Sequence, residues 1–300
     1  MSWARTHSGR LRVGTVILLP LLALALIAAG LALVLTHRAA GEYFESGRAR
    51  LHYTIEGRGE PVVLLHGFAV NGDINWRMPG IIRALARHYR VITLDLRGHG
   101  LSDKPHESSE YGLEMARDVP RLLDRLNIDR THLVGYSLGG YITLKVAELY
   151  PERLLTATVI GTGWEAVSEE RLTALLRLAG ALDSGKAIGP LAAQTASGGR
   201  GPGLLHTTMV EVMTGLFNDK QALAAMIRGL PGLSVSAEAL ARLSVPLCII
   251  IGSEDPLQPD AEGLSRRVPD SSYVLLPRAD HITTAFRPEM LNALEDCLER

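Results

Sequence analysis

The sequence predicts an α/β protein with a mostly parallel central sheet and helices on both faces. Short runs rich in Val, Ile and Leu recur at 61–67, 90–96, 131–137, 154–161, 246–252 and 272–277. They are too continuously apolar for strands with one wet face, and strands buried on both faces belong to parallel sheets. Amphipathic helical patterns at 76–87, 113–126 and 138–149 separate the first of these runs, the alternation that βαβ units require. No period of 20 to 50 residues recurs, which argues against a solenoid.

The elements follow in order. At the N-terminus, Val13 to Leu35 reads "VGTVILLPLLALALIAAGLALVL", 23 residues without a charge. At helical rise this is long enough to cross roughly 30 Å of hydrocarbon, so one N-terminal transmembrane helix is expected. A cleaved signal has an apolar region of only about 7 to 15 residues and a small-x-small exit, whereas "THRAA" places Arg38 at that exit. Arg10 and Arg12 lie close before the span and Arg38 close after it, with Glu42 and Glu45 only on the far side. That bias points to a single-pass protein whose large domain lies on the non-cytoplasmic side.

The expected organisation is a tail at 1–12, the span at 13–35, a linker at 36–41, an α/β core at 42–162 and 244–300, and a helical insertion at 163–243. "EYFES" and "RARLHYTIEG" look like two strands around a Ser46-Gly47 turn. Across 163–243 no strand pattern appears. "SEERLTALLRLAGAL", "LLHTTMVEVMTGLF" and "DKQALAAMIRGL" repeat apolar residues at helical spacing, and "SGGRGPG" (197–203) is a breaker cluster between them.

Composition narrows the function. Residues 1–38 hold four of the 31 basic and none of the 32 acidic residues, so the remainder carries a net charge of −5 with no basic stripe. Nucleic acid is therefore not an expected partner. Cys248 and Cys297 are too few for a disulfide framework, and each lies in an apolar stretch, so both are read as packed thiols and not as ligands or nucleophiles, with a single bridge between them left open. No Cys/His cluster has zinc spacing, and no cofactor is expected.

The chemistry is concentrated at "HLVGYSLGGY" (132–141). Gly135-Tyr136-Ser137-Leu138-Gly139 matches G-x-S-x-G with a strand before it and a helix after it, the context this motif needs. A strand that turns sharply into a helix strains the serine backbone and leaves no room for flanking side chains. The hydroxyl is lifted above the sheet, next to helix N-terminal amides able to stabilise an oxyanion. A serine nucleophile needs a base, and the base needs an orienting acid. His281, in "RADHITTAF" after the last strand, is the one histidine of ten in the right place for the base. The acid follows the preceding strand in "GSEDPLQPD", where Asp255 is preferred over Glu254 and Asp260 because it starts the turn that Pro256 fixes. His66 and His99 lie in glycine-rich turns and are read as loop braces.

With these pieces in place, the chain from 42 to 300 resembles the α/β-hydrolase superfamily, in its serine-hydrolase branch with a helical cap. "LLHGF" resembles the family's oxyanion loop, which implies that the backbone N–H groups of Phe68 and Leu138 form the oxyanion hole. "DLRGHGLSDKP" (95–105) resembles its structural turn, with Asp95 and Arg97 bracing it, and the insertion at 163–243 sits where the family carries its cap. The resemblance implies a carboxylic ester hydrolase working through an acyl-enzyme. The anchor is not part of the family core, and it is the anchor at 13–35 that adds the expectation of a membrane-anchored enzyme acting on a small, apolar ester. Serine at 137 argues against the dehalogenase and epoxide hydrolase branches, which place aspartate there. A carbon–carbon bond hydrolase of diketone-like acids is the alternative, and Arg171, Arg177, Arg200 and Arg228 leave it open. A non-catalytic binding protein is the other. Met209, Met213, Leu216, Phe217 and Met226 either line an acyl pocket or pack the cap, and Trp76 and Trp164 are expected near the pocket mouth.

Overall fold

In the computed structural model, which describes residues 39–164, 168–186, 214–215 and 218–300, all eight expected strands form. They are β1 (Glu42–Ser46), β2 (Ala49–Glu56), β3 (Glu60–Leu65), β4 (Tyr89–Leu94), β5 (Thr131–Tyr136), β6 (Leu154–Ile160), β7 (Leu247–Gly252) and β8 (Ser272–Leu276). They make one sheet in the order β1-β2-β4-β3-β5-β6-β7-β8. β1 pairs with β2 and β2 with β4 antiparallel, and every pair from β4 through β8 is parallel. Every residue of β5 and β7 is buried, which explains why neither strand shows the polar alternation of a half-wet sheet.

The helices are α1 (Ile81–Leu85), α2 (Leu113–Arg125), α3 (Leu138–Leu149), α4 (Glu169–Asp183), α5 (Lys220–Gly229), α6 (Ala237–Leu240), α7 (Gln258–Ser265) and α8 (Pro288–Leu298). Strand parity places helices on both faces. Val134 and Tyr136 of β5 join a core with Ile81 and Ile82 of α1 and Met290 and Leu294 of α8. The residue between them, Gly135, lies against Gly139 and Thr143 of α3 on the opposite face. Among the described residues between β6 and β7 there is no strand; α4, α5, α6 and a short 3₁₀ turn lie there.

Three expectations change. The single helix expected over 76–87 is two pieces, a π-type turn at Asp73–Arg77 and then α1. Pro79 has no N–H with which to continue the ladder, and Gly80 turns left-handed at φ 85°. Trp76 does not flank a pocket mouth. It is fully buried in the core beside Tyr136, their rings edge to face at 6.0 Å. Cys248 of β7 and Cys297 of α8 are not separate thiols but a disulfide, with Cα atoms 5.9 Å apart, because α8 returns across β7. α6, α7 and α8 add to the expected helices.

Among the described residues no helix is long and apolar enough to cross a membrane. The span expected at Val13–Leu35 lies outside them, as do the breaker cluster at 197–203, Arg200, Met209, Met213, Leu216 and Phe217.

Candidate active site

The sheet order reverses at β3. The chain passes from β3 to β4 on one side, then returns to lay β5 on the other, with Leu65 level with Gly135. Loops leaving the carboxyl ends at such a switch point diverge and open a crevice. Here those loops begin at His66 and Ser137. The ends of β6, β7 and β8 are in register with them: Tyr136 is level with Ile160, Ile160 with Ile250, and Gly252 with Leu276. The loops carrying Asp255 and His281 therefore rise from the same rim.

Ser137 leaves β5 at φ 51°, ψ −111°, a conformation costing about 1–3 kcal/mol that persists only where neighbours hold it. Its N–H donates to the Ile160 carbonyl at 2.8 Å, and its own carbonyl accepts from Gly140 N–H at 2.9 Å and the Thr162 hydroxyl at 2.9 Å. Both motif glycines have a steric cause. A Cβ on Gly135 would run into the Gly139 carbonyl, and one on Gly139 into the backbone of Leu65. α3 can approach the sheet closely enough to place its N-terminus under Ser137 only without those carbons.

His281 joins the other two side chains. Its Nδ1 lies 2.8 Å from Asp255 Oδ2, and its Nε2 lies 3.0 Å from Ser137 Oγ. A carboxylate only accepts, so Nδ1 carries the proton and Nε2 is left to accept from the serine hydroxyl. The second oxygen of Asp255 accepts from Leu257 N–H at 2.9 Å, and the carboxylate is buried at 3% exposure. The alternative acids are placed differently: Glu254 is exposed, and Asp260 sits on α7, its carbonyl accepting from Trp164 N–H. Burial pulls the His281 imidazole down, but the Asp255 charge and hydrogen bond outweigh it, and the net effect is upward from the ordinary 6.5.

The loop after β3 lies against the serine. A Cβ on Gly67 would sit 3.5 Å from Ser137 Cβ. Among the described residues neither Phe68 N–H nor Leu138 N–H meets a protein acceptor. Leu138 is the first residue of α3, where no intrahelical partner exists. His66 and His99 brace this loop. Leu96 N–H donates to His66 Nε2 at 3.0 Å, so His66 Nδ1–H donates to the Gly67 carbonyl at 2.7 Å. Ala69 N–H donates to His99 Nε2 at 3.1 Å, and His99 Nδ1–H donates to the Arg97 carbonyl. Burial lowers the pKa of both imidazoles, that of His99 to about 3, so both remain neutral acceptors.

Asp95 and Arg97 brace the next loop. Burial alone pushes the Asp95 carboxyl up, but hydrogen bonds from His52, Leu101 N–H and Gly72 N–H, with the nearby His66, hold it at about 2. Arg97, fully buried, forks onto Asp118 at 2.8 and 2.5 Å.

Sequence reasoning missed other contributors. The Tyr136 hydroxyl donates to the His281 carbonyl at 2.7 Å, tying the His281 loop to the strand that leads into Ser137. Asn75 Oδ1 accepts from Gly67 N–H at 2.9 Å. The first leaves no mark in local sequence because it depends on which loops the sheet brings together; the second closes within the single segment that follows β3, where no motif marks it.

Of the residues considered for a pocket, Met226 is fully buried and Trp164 braces the insertion, its indole N–H donating to the Val235 carbonyl at 2.7 Å. Arg228 is paired with Asp183, Arg171 lies 5.9 Å from the Tyr141 ring centre, and Arg177 is exposed. Among the described residues no cluster of His, Cys, Asp and Glu is arranged to hold a metal ion.

Comparison with known proteins adds the following. A family model described as the α/β hydrolase fold matches residues 60–192. The dihydrolipoyllysine-residue acetyltransferase component of the acetoin cleaving system of Pseudomonas putida is 30% identical over 257 residues, 82% of this chain and 65% of that relative. The chain spans less than two thirds of the length of the first curated relatives it matches. Among solved structures, a thermophilic esterase from Thermogutta terrifontis superposes with a TM-score of 0.73 at 24% identity, over 87% of this chain and 98% of its own. A membrane phospholipase A, a bacterial virulence factor, superposes with a TM-score of 0.66 at 22% identity, over 97% of this chain and 98% of its own.

Proposed function

Because the chain belongs to the α/β-hydrolase superfamily, we propose that it is a membrane-anchored serine hydrolase cleaving carboxylic esters through an acyl-enzyme intermediate. The observation that carries this reading is His281, placed within hydrogen-bond reach of Asp255 at 2.8 Å and Ser137 at 3.0 Å.

In the proposed reaction His281 Nε2 takes the hydroxyl proton as Ser137 Oγ attacks the ester carbonyl, and Asp255 stabilises the imidazolium that forms. The N–H groups of Phe68 and Leu138 hold the oxyanion, where one donor is typically worth about 100-fold to 1000-fold in rate. Collapse of the tetrahedral intermediate breaks the bond to the alcohol oxygen, which leaves with the proton from His281. Water, deprotonated by the same imidazole, then releases the acid and frees Ser137.

Anchoring rests on the uncharged stretch at 13–35, and the non-cytoplasmic side is supported by the Cys248–Cys297 disulfide, since such bonds persist in oxidising compartments. An anchored enzyme suits lipophilic esters, and the fold it shares with a membrane phospholipase A is consistent with that class. Against the carbon–carbon hydrolase reading, Arg228 is already engaged by Asp183.

The test is labelling by a fluorophosphonate, which reacts only with an activated serine. Wild-type protein labels and Ser137→Ala does not; equal labelling of the two overturns the reading. Turnover of p-nitrophenyl esters over a series of acyl lengths then identifies the substrate class.

A further inference from the structure

The loop that follows β3 has a nearly closed hydrogen-bond account. Gly67 N–H is held by Asn75, the Gly67 carbonyl by His66, and Ala69 N–H by His99. All three partners belong to the α/β core. The Ala69 carbonyl is held from elsewhere: Asn218 Nδ2–H donates to it at 2.8 Å across 149 residues of sequence. The Phe68 N–H lies between these anchored groups. Because a peptide carbonyl and the following N–H point in opposite directions, fixing the Gly67 carbonyl on His66 also fixes the direction of Phe68 N–H.

Ala69 needs such support. It is a non-glycine residue at φ 58°, a left-handed conformation costing on the order of 1 kcal/mol or more unless its surroundings determine it. Asn218 is itself well placed to provide it. The next residue, Asp219, caps α5 by accepting from Gln221 and Ala222 N–H at 2.9 and 3.0 Å, and its other oxygen meets His106 Nε2 at 3.0 Å. α5 is buried from Ala222 to Ile227. The insertion is therefore seated on the core through a rigid helix start, and Asn218 carries that seating to the loop.

Resting on the serine-hydrolase reading above, the geometry points to Asn218 as a positioning residue through which the helical insertion sets the oxyanion donor at Phe68. The insertion then does more than cover substrate: its seating completes the loop that stabilises the transition state.

Asn218→Asp and Asn218→Ala test this in the full-length protein with a short-chain p-nitrophenyl ester. Aspartate keeps the size of the side chain but has no N–H for the Ala69 carbonyl. Both variants are expected to lose about tenfold in kcat, less than loss of an oxyanion donor because Phe68 N–H is loosened and not removed, with KM within about twofold and a thermal midpoint lowered by no more than a few degrees. The rate of fluorophosphonate labelling falls in parallel, because phosphonylation uses the same donors. Wild-type kcat in both variants, a loss confined to KM, or a kcat loss that comes only with a collapse in thermal midpoint overturns the assignment. Ser137→Ala, run alongside, separates the two readings: if it retains activity the serine mechanism itself fails, whereas an inert Ser137→Ala beside fully active Asn218 variants removes only the role of Asn218.

Discussion

In the proposed mechanism Asp255 acts on catalysis through the proton affinity of His281. The base works only when neutral, so kcat/KM falls as pH drops through the His281 pKa, with a midpoint above the ordinary 6.5. Asp255→Asn removes the negative charge that favours the imidazolium, so the midpoint moves to lower pH while the plateau rate falls by about 100-fold to 10,000-fold. A pH–rate profile measures both, and an unmoved midpoint would place the supporting charge on another carboxylate. At this scale the sequence was legible where the cause is local. Ser137 was readable because the two glycines around it answer to its own turn. Asp255 could be preferred over Glu254 only by its turn, since the direction of a carboxylate is decided by packing. Tyr136 and Asn218 were invisible because their partners arrive from 145 and 149 residues away, and Asn75 because no motif marks its contact within the segment after β3.

Elements place these residues, and the tightest joint is that of α3 with β3 and β5. Gly139→Ala pushes a methyl group into the Leu65 backbone, which cannot move without breaking the ladder to Gly135. Overpacking of this kind costs about 1–3 kcal/mol. A thermal midpoint lowered by about 2–9 °C is expected, together with slowed fluorophosphonate labelling, because the helix start that presents Leu138 N–H is displaced. Strands were the most legible elements, since a parallel sheet needs continuous apolar runs. Helices near turns were less so: the periodicity of 76–87 runs through Pro79 and Gly80, which break it. α8 went unread although Pro288 stands at its first position and Met290, Ala293, Leu294 and Cys297 share its buried face.

For the whole molecule, the disulfide is the covalent link across the last layer of the fold. It closes a loop of 49 residues that contains Asp255 and His281. In the chain-entropy model such a loop is worth about 4 kcal/mol, and measured values for native disulfides run at about 2–5 kcal/mol. Urea unfolding of Cys297→Ser should give a stability lower by that amount, and intact mass of the wild type taken from cells without reductant should show no free thiol. Recovery of both thiols as free would place the domain in a reducing compartment. The order of the parts along the chain has a consequence of its own. Ser137 is synthesised 144 residues before His281, its proposed base. A nascent or prematurely terminated polypeptide that stops short of His281 thus lacks the proposed base, and the candidate site is complete only once the loop after β8 has been made.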